Sequence, residues 1–102
     1  MELYILDGHT PVPVEDILEW SKWCATAKRH VGDTKVGDIR VSTVFLGINH
    51  GWGEGEPILF ETMIFGSEKM KDYCERYATW EEAEDGHLRA VRLVRLKVKL
   101  NA

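Results

Sequence analysis

The segment Ile39 to Ile48 constrains the fold more than any other part of the chain. It is dense in β-branched and aromatic residues, and Ile39, Val41, Thr43 and Phe45 alternate with Arg40, Ser42, Val44 and Leu46. That period of two is the pattern of a strand. Beyond Ser42 both faces are apolar, which predicts cover on both sides of its second half. Asn49 to Pro57 then holds three Gly and a Pro with no aliphatic side chain, a loop by composition. Ile58 to Phe65 is a second strand, closed by Gly66-Ser67. The two strands are expected to pair antiparallel. A loop of about eight residues exceeds the usual hairpin connection, and extra loop length in a small domain is where function collects.

Around this pair the remaining elements follow. Leu3 to Leu6 is a short strand stopped by Asp7-Gly8. Thr10-Pro11-Val12-Pro13 reads as a stiff lead-in, because each Pro lacks a donor and holds its predecessor extended. Val14 to about Arg29 is a helix, with Glu15 and Asp16 in its first turn and Lys28 and Arg29 in its last, matching the dipole. Its apolar stripe is Val14, Ile17, Leu18, Ser21, Cys24 and Ala25. Trp20 and Trp23 flank that stripe, either widening the buried face or offering an interface to a partner. Residues 30–36 form a weak strand, and Asp72 to Tyr77 a last one. Thr79-Trp80-Glu81-Glu82 is a capping box opening a second helix, with Trp80, Ala83, His87, Val91, Val94 and Val98 on one face. From Arg95 the pattern also alternates with period two, so the basic tail at 95–102 fits helix, strand or frayed end. The order implies an α+β fold: one domain over residues 1–102, with a small antiparallel sheet of four to five strands and two helices packed on one face.

At 102 residues the chain has room for one core and a thin stability margin, which self-association would widen. Charge is unevenly placed. Residues 1–85 hold 8 basic and 17 acidic side chains, whereas residues 86–102 hold Arg89, Arg92, Arg95, Lys97 and Lys99 with no acid. Such a molecule can associate head to tail or present its basic end to an acidic partner. The plainer reading is a solvated helix face near a C-terminus. The acidic remainder disfavours general nucleic-acid binding. No apolar run approaches membrane-spanning length. The start lacks the basic and apolar regions of a signal peptide, so a reducing cytoplasm with Cys24 and Cys74 as free thiols is expected. Neither cysteine has metal-ligand spacing, and no nucleophile motif surrounds either.

Several strings together resemble a known group. They are Val41-Ser42-Thr43-Val44-Phe45-Leu46-Gly47, then His50 with its Gly-rich loop, then Leu59-Phe60-Glu61-Thr62-Met63-Ile64-Phe65-Gly66. Arg76-Tyr77-Ala78-Thr79-Trp80, Glu82-Ala83 and Gly86-His87 follow. With the opening Asp7-Gly8-His9 and Pro11-Val12-Pro13, this resembles a group of small uncharacterised proteins of bacteriophage and prophage genomes, over about residues 3–94. The resemblance implies a phage or mobile-element accessory protein in the cytoplasm of an infected or prophage-carrying bacterium. Such proteins often inhibit host systems or bind host proteins or signalling nucleotides. It carries over no catalytic residue.

Five residues stand out as candidate ligand-binding positions: His9, His50, Trp52, Glu61 and Arg76. Glu61 interrupts an apolar strand and shares a face with Leu59, Met63 and Phe65, so it sits at a solvated position or is paired, with Arg76 and Arg40 as partners. The Gly-rich loop could let backbone N–H groups approach an anion beside the Trp52 ring. Glu54 and Glu56 oppose that, and no P-loop lysine follows. His87, on the apolar stripe, reads as a buried, hydrogen-bonded histidine. The leading expectation is a non-catalytic binding protein, a homo-oligomer without cofactor or metal, sequestering a host protein or a small nucleotide-like ligand. One alternative is a small metal-dependent or acid–base hydrolase using His9, His50 and Glu61. Another is a virion or assembly accessory protein.

Overall fold

The structure, a computed structural model, describes residues 2–100. Its elements run β1 (Leu3–Asp7), β2 (Thr10–Val14), α1 (Ile17–Thr26), β3 (His30–Val36), β4 (Ile39–Phe45), β5 (Phe60–Phe65), β6 (Cys74–Tyr77) and α2 (Trp80–Leu100). The class is α+β. A four-stranded antiparallel sheet of order β3-β4-β5-β6 is joined by a two-stranded ribbon, β1-β2.

The inner face of the sheet is built by the alternation read from β4. Val41, Thr43 and Phe45 on β4 and Phe60, Thr62 and Ile64 on β5 are almost wholly buried. Register places Val41 beside Ile64 and Phe45 beside Phe60. α2 lies across this face and closes two neighbouring clusters. One joins Val41 and Ile64 to Ala90, Val91 and Val94; the other joins Phe45, Leu59, Phe60 and Tyr77 to Ala83. Thr79 caps the start of α2: the Glu82 amide donates to Thr79 Oγ1 at 3.1 Å, while the Glu82 carboxylate returns to that hydroxyl, which donates to it at 3.0 Å, rather than to the Thr79 amide as in the expected capping box. α2 continues as helix to Leu100 despite the alternating pattern of its tail. Leu96, Val98 and Leu100 are left exposed, because the helix has run past the sheet that could cover them. Asn101 and Ala102 lie outside the described residues. No helix among the described residues is long and apolar enough to cross a membrane.

Three expectations are corrected. Thr10–Val14 is not a lead-in but a strand, paired from Leu3↔Val14 to Asp7↔Thr10, with Gly8 at φ +62° in the turn. The prolines are tolerated for a geometric reason. The Tyr4 amide donates to Gly47 O at 2.8 Å, away from β2. Tyr4↔Pro13 and Leu6↔Pro11 are therefore the pairs that exchange no ladder bonds, and each proline nitrogen faces outward.

α1 is shorter than the predicted 14–29. Val14 belongs to β2, and Asp16 caps the helix by accepting from the Leu18 amide at 2.9 Å. Ala27 turns extended, and Arg29 O accepts from the Phe45 amide, so Lys28 and Arg29 lie beyond the helix. The predicted stripe is also turned the wrong way: Ile17 is 57% exposed and Leu18 68%. Trp20 and Trp23 form the inward side. Trp20 Nε1 donates to Gly47 O at 3.1 Å, and the Trp23 ring meets Phe45 edge-on at 5.7 Å.

Finally, β4 and β5 are each shorter than predicted. The ladder stops at Phe45 because Gly47, at φ +78°, turns the chain toward β1. Residues 47–49 then bond to residues 2–4: Gly47 O accepts from Tyr4 and the Asn49 amide donates to Glu2 O.

Candidate functional site

The connection from β4 to β5 is pinned at its base. Asn49 does most of this: its Oδ1 accepts from the Gly51 amide at 2.8 Å and the Ile58 amide at 2.9 Å, and its Nδ2 donates to the Glu2 carboxylate at 2.8 Å. The His50 amide donates to Ile58 O at 2.9 Å. The His50 ring turns back on its own chain, Nδ1 to Ile48 O at 2.8 Å; since a carbonyl only accepts, that bond places a proton on Nδ1. At the tip stands Trp52, 97% exposed. It is the only tryptophan of the four that the fold leaves in solvent, because the others are half-buried.

The other predicted site residues lie elsewhere. His9, in the β1–β2 turn, stacks on Trp80 at 3.8 Å with planes 5° apart, tying the ribbon to the start of α2. Glu61 and Arg76 face each other on the outer side of the sheet in register, and Arg76 Nε donates to Glu61 Oε2 at 2.9 Å. Arg40, the other predicted partner of Glu61, pairs instead with Asp33 at 2.7 Å. Glu61 is thus satisfied by a structural ion pair. It does share the outer face with Met63 and Phe65, whereas Leu59 is in the core. His9, His50 and Glu61, the set required by a hydrolase, are each engaged with a different partner. Among the described residues no group of three or more His, Cys, Asp or Glu could hold a metal ion.

Neither cysteine is set up as a nucleophile. Both are free thiols. Burial, with the Glu61 carboxylate 3.4 Å away, pushes the Cys74 thiol up, the opposite of what activation requires. A groove of about 520 Å³ beside Cys24 is lined by Lys28, Arg29 and His30 over Val44 and Phe45. Lys28 and Arg29 follow the extended cap residue Ala27, beyond the last turn of α1.

Inside the core lies a polar chain that residue patterns disclosed only at one point, His87. Tyr77 donates to Thr62 Oγ1 at 3.0 Å, Thr62 and Thr43 hydroxyls meet at 2.6 Å, Thr43 reaches His87 Nδ1 at 2.8 Å, and His87 Nε2 reaches Thr34 Oγ1 at 2.9 Å. It takes one residue from every strand of the sheet and joins them to α2. A neutral imidazole satisfies every link, one nitrogen donating and the other accepting, and the threonine hydroxyls, which both donate and accept, turn to suit. Room for it comes from glycine. A Cβ on Gly32 would lie 2.7 Å from the His87 ring, and one on Gly86 would fall on the Tyr77 ring and hydroxyl.

This chain gives stability a pH dependence. Burial pulls the His87 imidazole below its ordinary 6.5, with Asp33 opposing weakly. Between the two values the unfolded state binds more protons, so stability rises with pH there and is lost as pH falls from 6.5 toward the depressed value. The melting temperature should drop on going from about pH 7 to about pH 5, within the range where imidazole titrates. The drop should be smaller in His87→Gln; an equal drop in both proteins would remove His87 as its cause.

Comparison of the chain with protein-family models, with curated proteins and with solved structures gives no match. The site therefore rests on geometry alone: a pinned loop with one projecting aromatic, on a fold whose sheet charges pair with one another and whose one buried side-chain polar atom without a partner, among the described residues, is Trp80 Nε1.

Proposed function

We propose that this chain is a non-catalytic binding protein of the phage accessory type, acting in the bacterial cytoplasm to sequester or inhibit a host protein through its Trp52 loop. The observation that carries the reading is the exposed Trp52 on a loop whose base is held by Asn49. A large aromatic in water is costly to keep and is the commonest kind of anchor in protein interfaces. Holding the loop in advance reduces the ordering cost on binding. Trp52 projects from the surface and lines none of the grooves described, which favours a protein partner over a small nucleotide-like ligand. Glu54 and Glu56 beside it favour a partner surface with cations around an apolar pocket. Self-association belongs to the same proposal, since a domain of this size gains stability from it.

The test is comparative capture from bacterial lysate with three baits: wild type, Trp52→Ala and, as a surface control, Lys22→Ala. One host protein should be retained by the wild type and the control and lost, by at least about tenfold, on Trp52→Ala, as for a hot-spot residue. Equal retention by all three baits would remove Trp52 from the function.

A further inference from the structure

Two surfaces at opposite ends of the molecule have matching chemistry. The first is at the base of the β1–β2 ribbon, where Leu3, Tyr4, Pro13 and Val14 floor a groove of about 470 Å³ between Glu2 and Glu15. Ile17 and Leu18 stand exposed next to it on α1, followed by Glu19. From Glu2 to Ser21 the chain holds acids and no Lys or Arg. The second is the C-terminal end of α2. Val94 is its last buried residue. Beyond it Leu96 is 54% exposed and Leu100 71%, interleaved with Arg95, Lys97 and Lys99. Among the described residues these three cations form no ion pair, whereas Arg89 pairs with Glu75.

The two cannot meet within one chain. The ribbon base bonds to residues 47–49, past the Phe45 end of β4. α2 begins at that end, under His9, and runs toward the cluster that includes Val36, Ile39 and Met70. Its 21 residues carry Leu100 about 30 Å from its start, and the molecule is 50 Å long. A basic, apolar helical end and an acid-rimmed apolar groove, held apart by a rigid helix, fit one another only between molecules.

We infer that copies of this chain associate head to tail, the α2 end of one (Leu96, Lys97, Leu100) seating on the ribbon base and α1 start (Glu15, Ile17, Leu18) of the next. The contact is heterologous, so it propagates into a ring or a filament rather than closing as a two-fold dimer. It deepens the proposed self-association, and it is separate from docking through Trp52, which belongs to neither surface.

The test uses the full chain and two variants confined to exposed residues. Ile17→Gln/Leu18→Gln blocks the head and Leu96→Gln/Leu100→Gln the tail. Wild type should grow in mass with concentration in sedimentation or light scattering. It should return to the 11.7 kDa monomer at about 1 M salt, where screening reaches roughly 3 Å. Each variant alone should be a monomer. Mixed in equal amounts they should form a two-chain particle and nothing larger, because each retains the half the other lacks. A wild type that stays monomeric at all concentrations overturns both the surface and self-association. Variants that associate as wild type does, or a mixture that stays monomeric, overturn the head-to-tail surface while leaving self-association and the Trp52 reading standing.

Discussion

Gly86→Ala should be the most destabilising single substitution in the core. Gly86 is buried in α2 against β6, and an added Cβ would overlap the hydroxyl and ring edge of Tyr77. Neither side can yield easily. Tyr77 is 5% exposed and tied to Thr62 through its hydroxyl. α2 is fixed on the sheet by Ala83 on one side and Ala90 on the other, both fully buried. Intrinsic helix propensity points the opposite way, since alanine is better than glycine in a helix by about 1 kcal/mol. Overpacking a filled site costs about 1–3 kcal/mol and more where backbone must move, and the broken Tyr77 bond adds to it. The net expectation is a loss of about 3 kcal/mol, a large share of the stability of a domain this small. Urea unfolding followed by circular dichroism would measure it. Adding Tyr77→Phe should restore only part, because the ring edge remains. A Gly86→Ala protein with the wild-type midpoint would show that the close approach of α2 to β6 is wrong.

Thr43→Val should be the second most damaging change, although it conserves shape. Thr43 is fully buried and stands at the centre of the polar chain, bonded to Thr62 on one side and His87 on the other. Removing its hydroxyl takes one hydrogen bond from the Thr62 hydroxyl and leaves His87 Nδ1 without its partner in the core. Each orphaned buried group costs about 1–3 kcal/mol. Replacing Thr34 should cost less, since it takes only the terminal bond from Nε2. Chemical denaturation of Thr43→Val, Thr62→Val and the double variant resolves the coupling. The double change should cost less than the sum of the singles, because the shared link is lost only once. Strict additivity would mean that the hydroxyls act independently.

The polar chain also marks where residue patterns stop being informative. Each of its threonines, taken alone, is an ordinary strand residue, and only tertiary register brings Thr43 opposite Thr62. Gly86-His87 was the visible trace of it: a glycine inside a helical pattern signals close packing, and the buried histidine beside it needed partners. Strand β4, the last strand, the Thr79 cap and the Glu61–Arg76 pair were all legible, because each depends on local alternation, local capping chemistry or a charge in an apolar run. β2 was hidden because its prolines argue against a strand unless their nitrogens face outward, which only the Tyr4–Gly47 bond discloses. The inward face of α1 was misplaced for a different reason. Leu18 lies on the opposite side of the helix from Trp20 and Trp23, and a short helix touching the core through only two large rings leaves Ile17 and Leu18 outside. Of the residues read as a binding site, the fold engages His9, His50, Glu61 and Arg76 within the chain and leaves Trp52 in solvent.

That contrast sets the most direct measurement: photo-cross-linking in bacterial cells, with the cross-linking side chain placed at position 54, an exposed position in the same loop that leaves Trp52 intact, and, separately, at position 22 on the solvent side of α1. Position 54 should give one discrete adduct with a host protein, absent at position 22, and the adduct should weaken when Trp52→Ala is added or when Asn49→Ala releases the base of the loop. No adduct at position 54, or the same adducts at both positions, would contradict a function carried by the Trp52 loop.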